Sequence, residues 1–202
     1  MYHLMRGPLK VKNFDVGLEW VGKYRNFFMA EFWGAEGDEE RSERIKAARK
    51  GGSVNPEYHD HLQKYIQQGS LTLKEYTTVS SASWDTSSQK WTIQSEPAIE
   101  ELPAFDHVVY ATGITTDVSA ISALKPLFEK KETTIEISGG LPCINDDLMW
   151  NSKVPLFVAG RLAALRLGPA AQNLVGARMG GERICVSLSF CFYVLKEGLT
   201  GL

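Results

Sequence analysis

A chain of 202 residues with 44% hydrophobic and 10% aromatic side chains is long enough for one ordinary domain or two small ones with a packed core. Its formal net charge of -2 supplies no basic excess for a phosphate backbone or an anionic membrane surface, so nucleic acid is excluded as an expected partner. The three cysteines (Cys143, Cys185, Cys191) show neither a C-x-x-C pair nor metal-ligand spacing, and "MYHLMRGPLK" carries no signal-peptide pattern, so the expected setting is reducing and cytoplasmic.

The opening "LMRGPLKVKNF" starts extended and is broken at Gly7-Pro8. From Trp20, the aromatics Tyr24, Phe27, Phe28 and Phe32 recur at helical spacing and describe an apolar stripe that Gly34 ends. In "DEERSERIKAARK", Glu40 precedes Arg44 by four residues and Glu43 precedes Lys46 by three, the spacing of a solvated helix, which Gly51-Gly52 stops. "NPEYHDHLQKYIQQG" supplies Asn55 as a cap and Pro56 at the first helical position. Tyr58, Leu62, Tyr65 and Ile66 fall on one face, and Gly69 marks the exit.

After Gly69 the period becomes two. "LTLKEYTTVSSASW" and "KWTIQS" alternate apolar with polar residues around "DTSSQ", as exposed antiparallel strands around a hairpin turn do. "FDHVVYATG" and "VPLFVAG" are continuous apolar runs, each ending on glycine. They predict strands buried on both faces, with Val108 to Ala111 and Leu156 to Ala159 as parallel neighbours whose carboxyl ends converge on one cleft. The late run "ICVSLSFCFYVL" is well short of the roughly 20 residues that cross a bilayer, so no membrane span is predicted.

In "PLFVAGRLAALRLGPAAQNLVGARMGGERI", a strand stops at Gly160 and Gly168-Pro169 opens a helix predicted from about Ala170. Such a start leaves the amides of Ala170, Ala171 and Gln172 unpaired at the positive end of the helix, where a carbonyl or phosphate can dock. Gly176, Ala177, Gly180 and Gly181 give that helix a smooth face for close packing. The plainer roles are turn geometry for Gly113 and Gly160 and a solvated surface for Arg6 and Arg161. His59 and His61, two apart on a helix, point in different directions and make a poor metal pair. No Ser-His-Asp set, Cys-His set or carboxylate pair stands out, so no catalytic residue is nominated.

"VVYATG" followed by "PLFVAGR…GPAAQNLVGAR" resembles the C-terminal half of the two-dinucleotide-binding-domain flavoproteins. These include flavin-dependent monooxygenases and related FAD/NAD(P)-binding oxidoreductases, especially fungal ones. The resemblance implies an α/β chain: a partial FAD/NAD(P)-binding Rossmann-like fold with parallel strands plus an antiparallel β-hairpin. It also implies that residues 1–70 are a mostly helical remnant of the nucleotide-binding insertion and 71–202 the C-terminal part of the FAD-binding domain. In that family the A-T-G turn lies along FAD, and the late glycine, loop and helix face the isoalloxazine and ribityl region. The implied cofactor-binding set is therefore Thr112, Gly113, Gly160, Arg161, Gly168, Ala170, Ala171 and Asn173, with Arg161 where many members carry an aspartate. "LMRGPLKVK" resembles a strand end in the insertion, which makes Arg6 the candidate for a bidentate contact to the 2′-phosphate of NADPH.

The glycine-rich G-x-G-x-x-G loops that hold both diphosphates do not occur. The resemblance therefore implies a chain lacking the first half of the FAD domain, whether as a fragment, a truncated gene product or a repurposed protein. Its open side would be closed by a homodimer or by the missing N-terminal half. The expected activity is an FAD/NADPH-dependent, monooxygenase-like oxidation of a small organic substrate, with the flavin supplying the chemistry. The alternative is a non-redox remnant acting as a binding module or cofactor-free catalyst. The chain alone is expected to hold FAD weakly or not at all.

Overall fold

The computed structural model describes residues 1–113 and 117–199, with side chains through Ser189. In chain order the elements are β1 (Tyr2–Leu4), α1 (Arg25–Trp33), α2 (Asp38–Arg49), α3 (Pro56–Gln67), β2 (Thr72–Lys74), β3 (Thr78–Asp85) and β4 (Lys90–Glu96). They continue with α4 (Lys125–Phe128), β5 (Ile137–Ser138), β6 (Leu141–Pro142), β7 (Met149–Asn151), β8 (Val154–Phe157), α5 (Ala164–Leu167) and α6 (Leu174–Leu199). They divide into two compact units, Met1–Asp15 with Gly52–Gly113, and Val16–Gly51 with the described part of 114–202.

In the first unit β1 and β2 pair in parallel, Tyr2 opposite Thr72 and Leu4 opposite Lys74. Helix α3 forms as its end signals dictate. The Asn55 side chain accepts from the Tyr58 amide at 2.9 Å with Pro56 at the first position, and Gly69 closes the helix at φ 70°. Leu62 and Ile66 are half-buried but Tyr58 and Tyr65 are exposed, so only half of the expected stripe packs.

Strands β3 and β4 form the expected antiparallel hairpin, with a bulge between Val79 and Ser81. Its turn is held by Asp85, which accepts from the amides and hydroxyls of Ser87 and Ser88. The Ser88 and then the Ser87 hydroxyl hold the Asp85 carboxyl down to about 2.

The expected strand at Val108 to Ala111 is corrected by the structure. Strand-like pairing beside β4 ends at a bridge between Trp91 and Phe105, and residues 107–113 belong to no strand. Val109 is 87% exposed and Tyr110 66% exposed. An apolar run becomes a buried strand only where other strands flank it, and among the described residues none does so here.

The second unit carries the larger core. Phe32 on α1, Ile144, Leu148, Trp150 on β7, and Leu165 and Leu167 on α5 are fully buried together. Trp150 donates its indole N–H to the Thr133 carbonyl at 2.7 Å and meets the Phe128 ring edge-on at 5.4 Å. The aromatic stripe is narrower than expected: Trp20 and Phe32 are buried, whereas Tyr24 and Phe27 face solvent. Helix α2 has acids in its first turn and bases in its last, with Glu40 and Arg44 paired at 2.7 Å. A left-handed Lys50 closes it, with Gly51 following.

β8 also departs from expectation. It pairs antiparallel with β7, Asn151 opposite Val154, so Leu156 to Ala159 has no parallel neighbour among the described residues. The two-residue connection Ser152-Lys153 between β7 and β8 makes a hairpin, which fixes the antiparallel sense locally. Among the described residues, no helix is long and apolar enough to cross a membrane.

Candidate functional site

The implied site residues fall into two groups. Gly160, Arg161, Gly168, Ala170, Ala171 and Asn173 share one continuous turn of the second unit. Arg6, Thr112 and Gly113 belong to the first unit.

The turn of the second unit starts where β8 runs out. Gly160 adopts φ 63°, and a Cβ added there would meet nothing within 4 Å. A 3-10 turn over Gly160–Ala163, carrying half-buried Arg161, passes into α5. Gly168 then turns at φ 85°, ψ -177°. Its Cβ would stand 2.9 Å from the Met29 Sδ and Cε atoms, so glycine is required there by both conformation and contact.

Beyond Gly168 the structure corrects the expected helix start: α6 begins at Leu174 rather than near Ala170. The Ala171 amide donates to the Gly168 carbonyl at 3.0 Å and the Asn173 amide to the Ala170 carbonyl at 3.1 Å, closing two tight turns. The Asn173 side chain accepts from the Gly176 amide at 3.1 Å and caps α6. Two start signals compete in this stretch, Pro169 and Asn173, and the asparagine cap is the one realised. The Ala171 amide and the Asn173 side-chain oxygen thus have partners within the fold, and Ala170 and Ala171 are buried. The smooth face of α6 receives its own chain: Gly176 sits against the Ala171 backbone, and Gly180 against Leu167, Ala159 and Leu148.

In the first unit Thr112 and Gly113 are exposed, and Gly113 adopts φ 79° with nothing within 4 Å of the point where a Cβ would project. Arg6 is exposed in the bend after β1. Two open concavities of about 350 Å³ also lie in this unit, one beside Phe14 and Tyr58 and one beside Tyr2 and Phe105; neither is lined by any of the nominated residues. Among the described residues no cluster of three or more His, Cys, Asp or Glu side chains is placed to hold a metal.

One charged cluster was not read from the sequence. Asp38 opens α2, and Arg166 of α5 grips its carboxylate with both terminal nitrogens, Nη1 on Oδ1 and Nη2 on Oδ2, the latter at 3.0 Å. Arg41 Nη1 approaches the same Oδ1 at 3.4 Å, and Arg166 Nε faces Asp146 at 3.3 Å. Burial works to raise the Asp38 carboxyl, but the hydrogen bonds and charge of Arg166, helped by Cys143 and Arg41, hold it below the ordinary carboxylate value. Burial and the Asp38 contact push the Cys143 thiol up to about 12, which leaves it protonated and unreactive. The acidic first turn of α2 is visible in "GDEE", but its basic partner lies 128 residues further on.

The described elements form an α/β fold whose small sheets comprise one parallel pair, β1 with β2, and three antiparallel pairs. No protein-family model matches the chain, and no curated protein matches it. Among solved structures it is similar to an ornithine hydroxylase (PvdA) from Pseudomonas aeruginosa, with a TM-score of 0.64 and 17% identity. The alignment covers 93% of this chain and 45% of that one, so the chain spans less than half the length of the hydroxylase. At this identity the likeness shows the fold alone.

Proposed function

We propose that this chain is the C-terminal part of a monooxygenase-like oxidoreductase that uses FAD and NADPH on a small organic substrate. The supporting observation is fold similarity to a hydroxylase over 93% of the chain. On this reading residues 71–202 form the C-terminal part of the FAD-binding domain and 1–70 derive from the nucleotide-binding insertion. FAD would supply the redox chemistry, with NADPH as its reductant.

Gly160 in the second unit and Gly113 in the first each turn left-handed with open space where a side chain would project, so each backbone by itself could be approached by a flat ring system. Thr112 offers a hydroxyl beside Gly113, and Arg161 a cation beside Gly160. Ala170 and Gly168 contribute shape rather than free donors. Arg6 is proposed to meet the NADPH 2′-phosphate.

The test is a titration of the purified chain with FAD and with riboflavin, followed by flavin fluorescence. Because the sequence carries no G-x-G-x-x-G loop for the diphosphate, both flavins should quench saturably and weakly. FAD should gain less than about tenfold over riboflavin, about 1.4 kcal/mol. No saturable quenching by either flavin would overturn the proposal and favour the non-redox binding module, the reading that the missing loop supports. Stoichiometric FAD in protein purified without added cofactor would overturn the expectation of weak binding.

A further inference from the structure

We propose that Asp38 and Arg166 form a clamp through which α1 and α2 set the position of the Gly160–Asn173 turn. The clamp couples the segment assigned to the nucleotide-binding insertion to the one assigned to the flavin. The functional half of this inference rests on the reading given under Proposed function; the mechanical half stands on geometry alone.

The turn has little regular secondary structure of its own. It hangs from β8, four residues long and paired only with the three residues of β7 among the described strands, and its own helix α5 has four residues. A helix of one turn has no independent stability in water. Its buried side chains pack into the core and against α6, and three directed contacts tie it to α1 and α2.

The first is the two-pronged grip of Arg166 on Asp38, with the two side chains only 12% and 18% exposed. A fork of two parallel hydrogen bonds fixes direction as well as distance, which a single lysine contact does not. The second is the Trp33 indole N–H, which donates to the Arg166 carbonyl at 2.9 Å. The third is the seat of Gly168 against Met29 and, behind it, Phe32.

Asp38 is itself held from several sides. It occupies the first turn of α2, where the positive helix end favours a carboxylate, and Arg41 and Cys143 also contact it. Asp146, on the far side of the guanidinium, balances Arg166. The carboxylate is therefore a fixed point and the arginine the element that docks onto it. A shift of α2 moves the turn with it, and by reciprocity whatever binds the turn biases α2.

The experiment is amide hydrogen exchange, read by mass spectrometry, on the full chain and its variants Asp38→Asn, Asp38→Glu and Arg166→Gln. The reporters are Gly168, Ala171 and Asn173, whose amides are hydrogen-bonded within the turn. Asp38→Asn and Arg166→Gln should raise exchange there at least tenfold, Asp38→Glu should recover part of the protection, and peptides covering 125–134 and the β3–β4 hairpin should stay as in the wild type. Unchanged exchange in the turn, or an equal rise throughout the second unit, would overturn the clamp, since the latter is what general destabilisation does.

If Asp38→Asn does not fold, Arg166→Lys, which keeps the charge but not the fork, replaces it with a smaller rise confined to the same residues. Flavin titration of the same variants separates the two claims. Loosened turns with unaltered flavin quenching leave the clamp standing and overturn the coupling to the flavin.

Discussion

Substituting alanine at Gly168 and, for comparison, at Gly160 separates two reasons for a left-handed glycine. At Gly160 (φ 63°) the added methyl would meet nothing within 4 Å, so only backbone strain opposes it, about 1 kcal/mol. At Gly168 the backbone (φ 85°, ψ -177°) lies in a region that is almost exclusive to glycine, which costs about 1–3 kcal/mol. There the methyl would also stand 2.9 Å from both Sδ and Cε of Met29, in a core where Met29 and Phe32 are buried. The thioether end of methionine is adaptable, so the overpacking adds nearer about 1 than 3 kcal/mol. Gly168→Ala should therefore cost about 2–4 kcal/mol, at least about 1 more than Gly160→Ala. Urea unfolding followed by tryptophan fluorescence, in a background carrying Trp84→Phe and Trp91→Phe, leaves Trp20, Trp33 and Trp150 to read the second unit. The double variant Gly168→Ala/Met29→Ala should recover the contact part of the loss and leave the strain. Equal midpoints for Gly168→Ala and Gly160→Ala, or additivity with Met29→Ala, would refute the close contact.

Trp150→Phe removes a hydrogen bond to the Thr133 carbonyl and part of a ring buried to 1% exposure; a loss of about 2–3 kcal/mol is expected in urea unfolding, and a loss below about 1 would contradict the packing described. Because the Asp38 carboxyl sits below its ordinary value in the folded chain, its contribution is complete above the unfolded value, near about pH 4, and is lost as the pH falls through the lowered folded value. The stability gap between wild type and Asp38→Asn should then be widest near neutrality and narrow in acid, as a pH series of urea midpoints will read. Asn173→Ala and Asn55→Ala each remove a helix cap and should each cost about 1 kcal/mol; a neutral Asn173→Ala in thermal unfolding would show its side chain uncommitted to α6.

Features whose causes lie within a few residues were legible in the sequence. Asn55, Pro56 and Gly69 bounded α3 correctly because cap, proline and exit glycine act within one turn of the helix. The hairpin followed from "DTSSQ" for the same reason, since Asp85 needs only Ser87 and Ser88 to close it. The expectation at Val108 to Ala111 failed because burial of a strand is a property of its neighbours. Val109 and Tyr110 have strand-forming side chains, but no strand lies beside them among the described residues. β8 was read as a strand but with the wrong partner: its pairing is decided by a short hairpin to β7, not by the apolar run that made it visible. The clamp was invisible because its two halves are 128 residues apart and each looks like an ordinary surface charge in its own segment.

Glycine shows most sharply where sequence reasoning about the site stops. In the sequence Gly113, Gly160, Gly168 and Gly176 carry the same message, that a backbone passes close to something. In the structure Gly176 lies against Ala171 and Gly168 against Met29, so the chain itself is what those two approach. Gly113 and Gly160 adopt the same left-handed turn with nothing within 4 Å of where a Cβ would stand. A strained turn facing its own core is explained by packing, whereas one facing open space has no packing reason for its glycine beyond the turn. Gly69 has the same left-handed turn beside open space and closes α3, so the turn alone accounts for a glycine of this kind, and the flavin titration is what separates Gly113 and Gly160 from it.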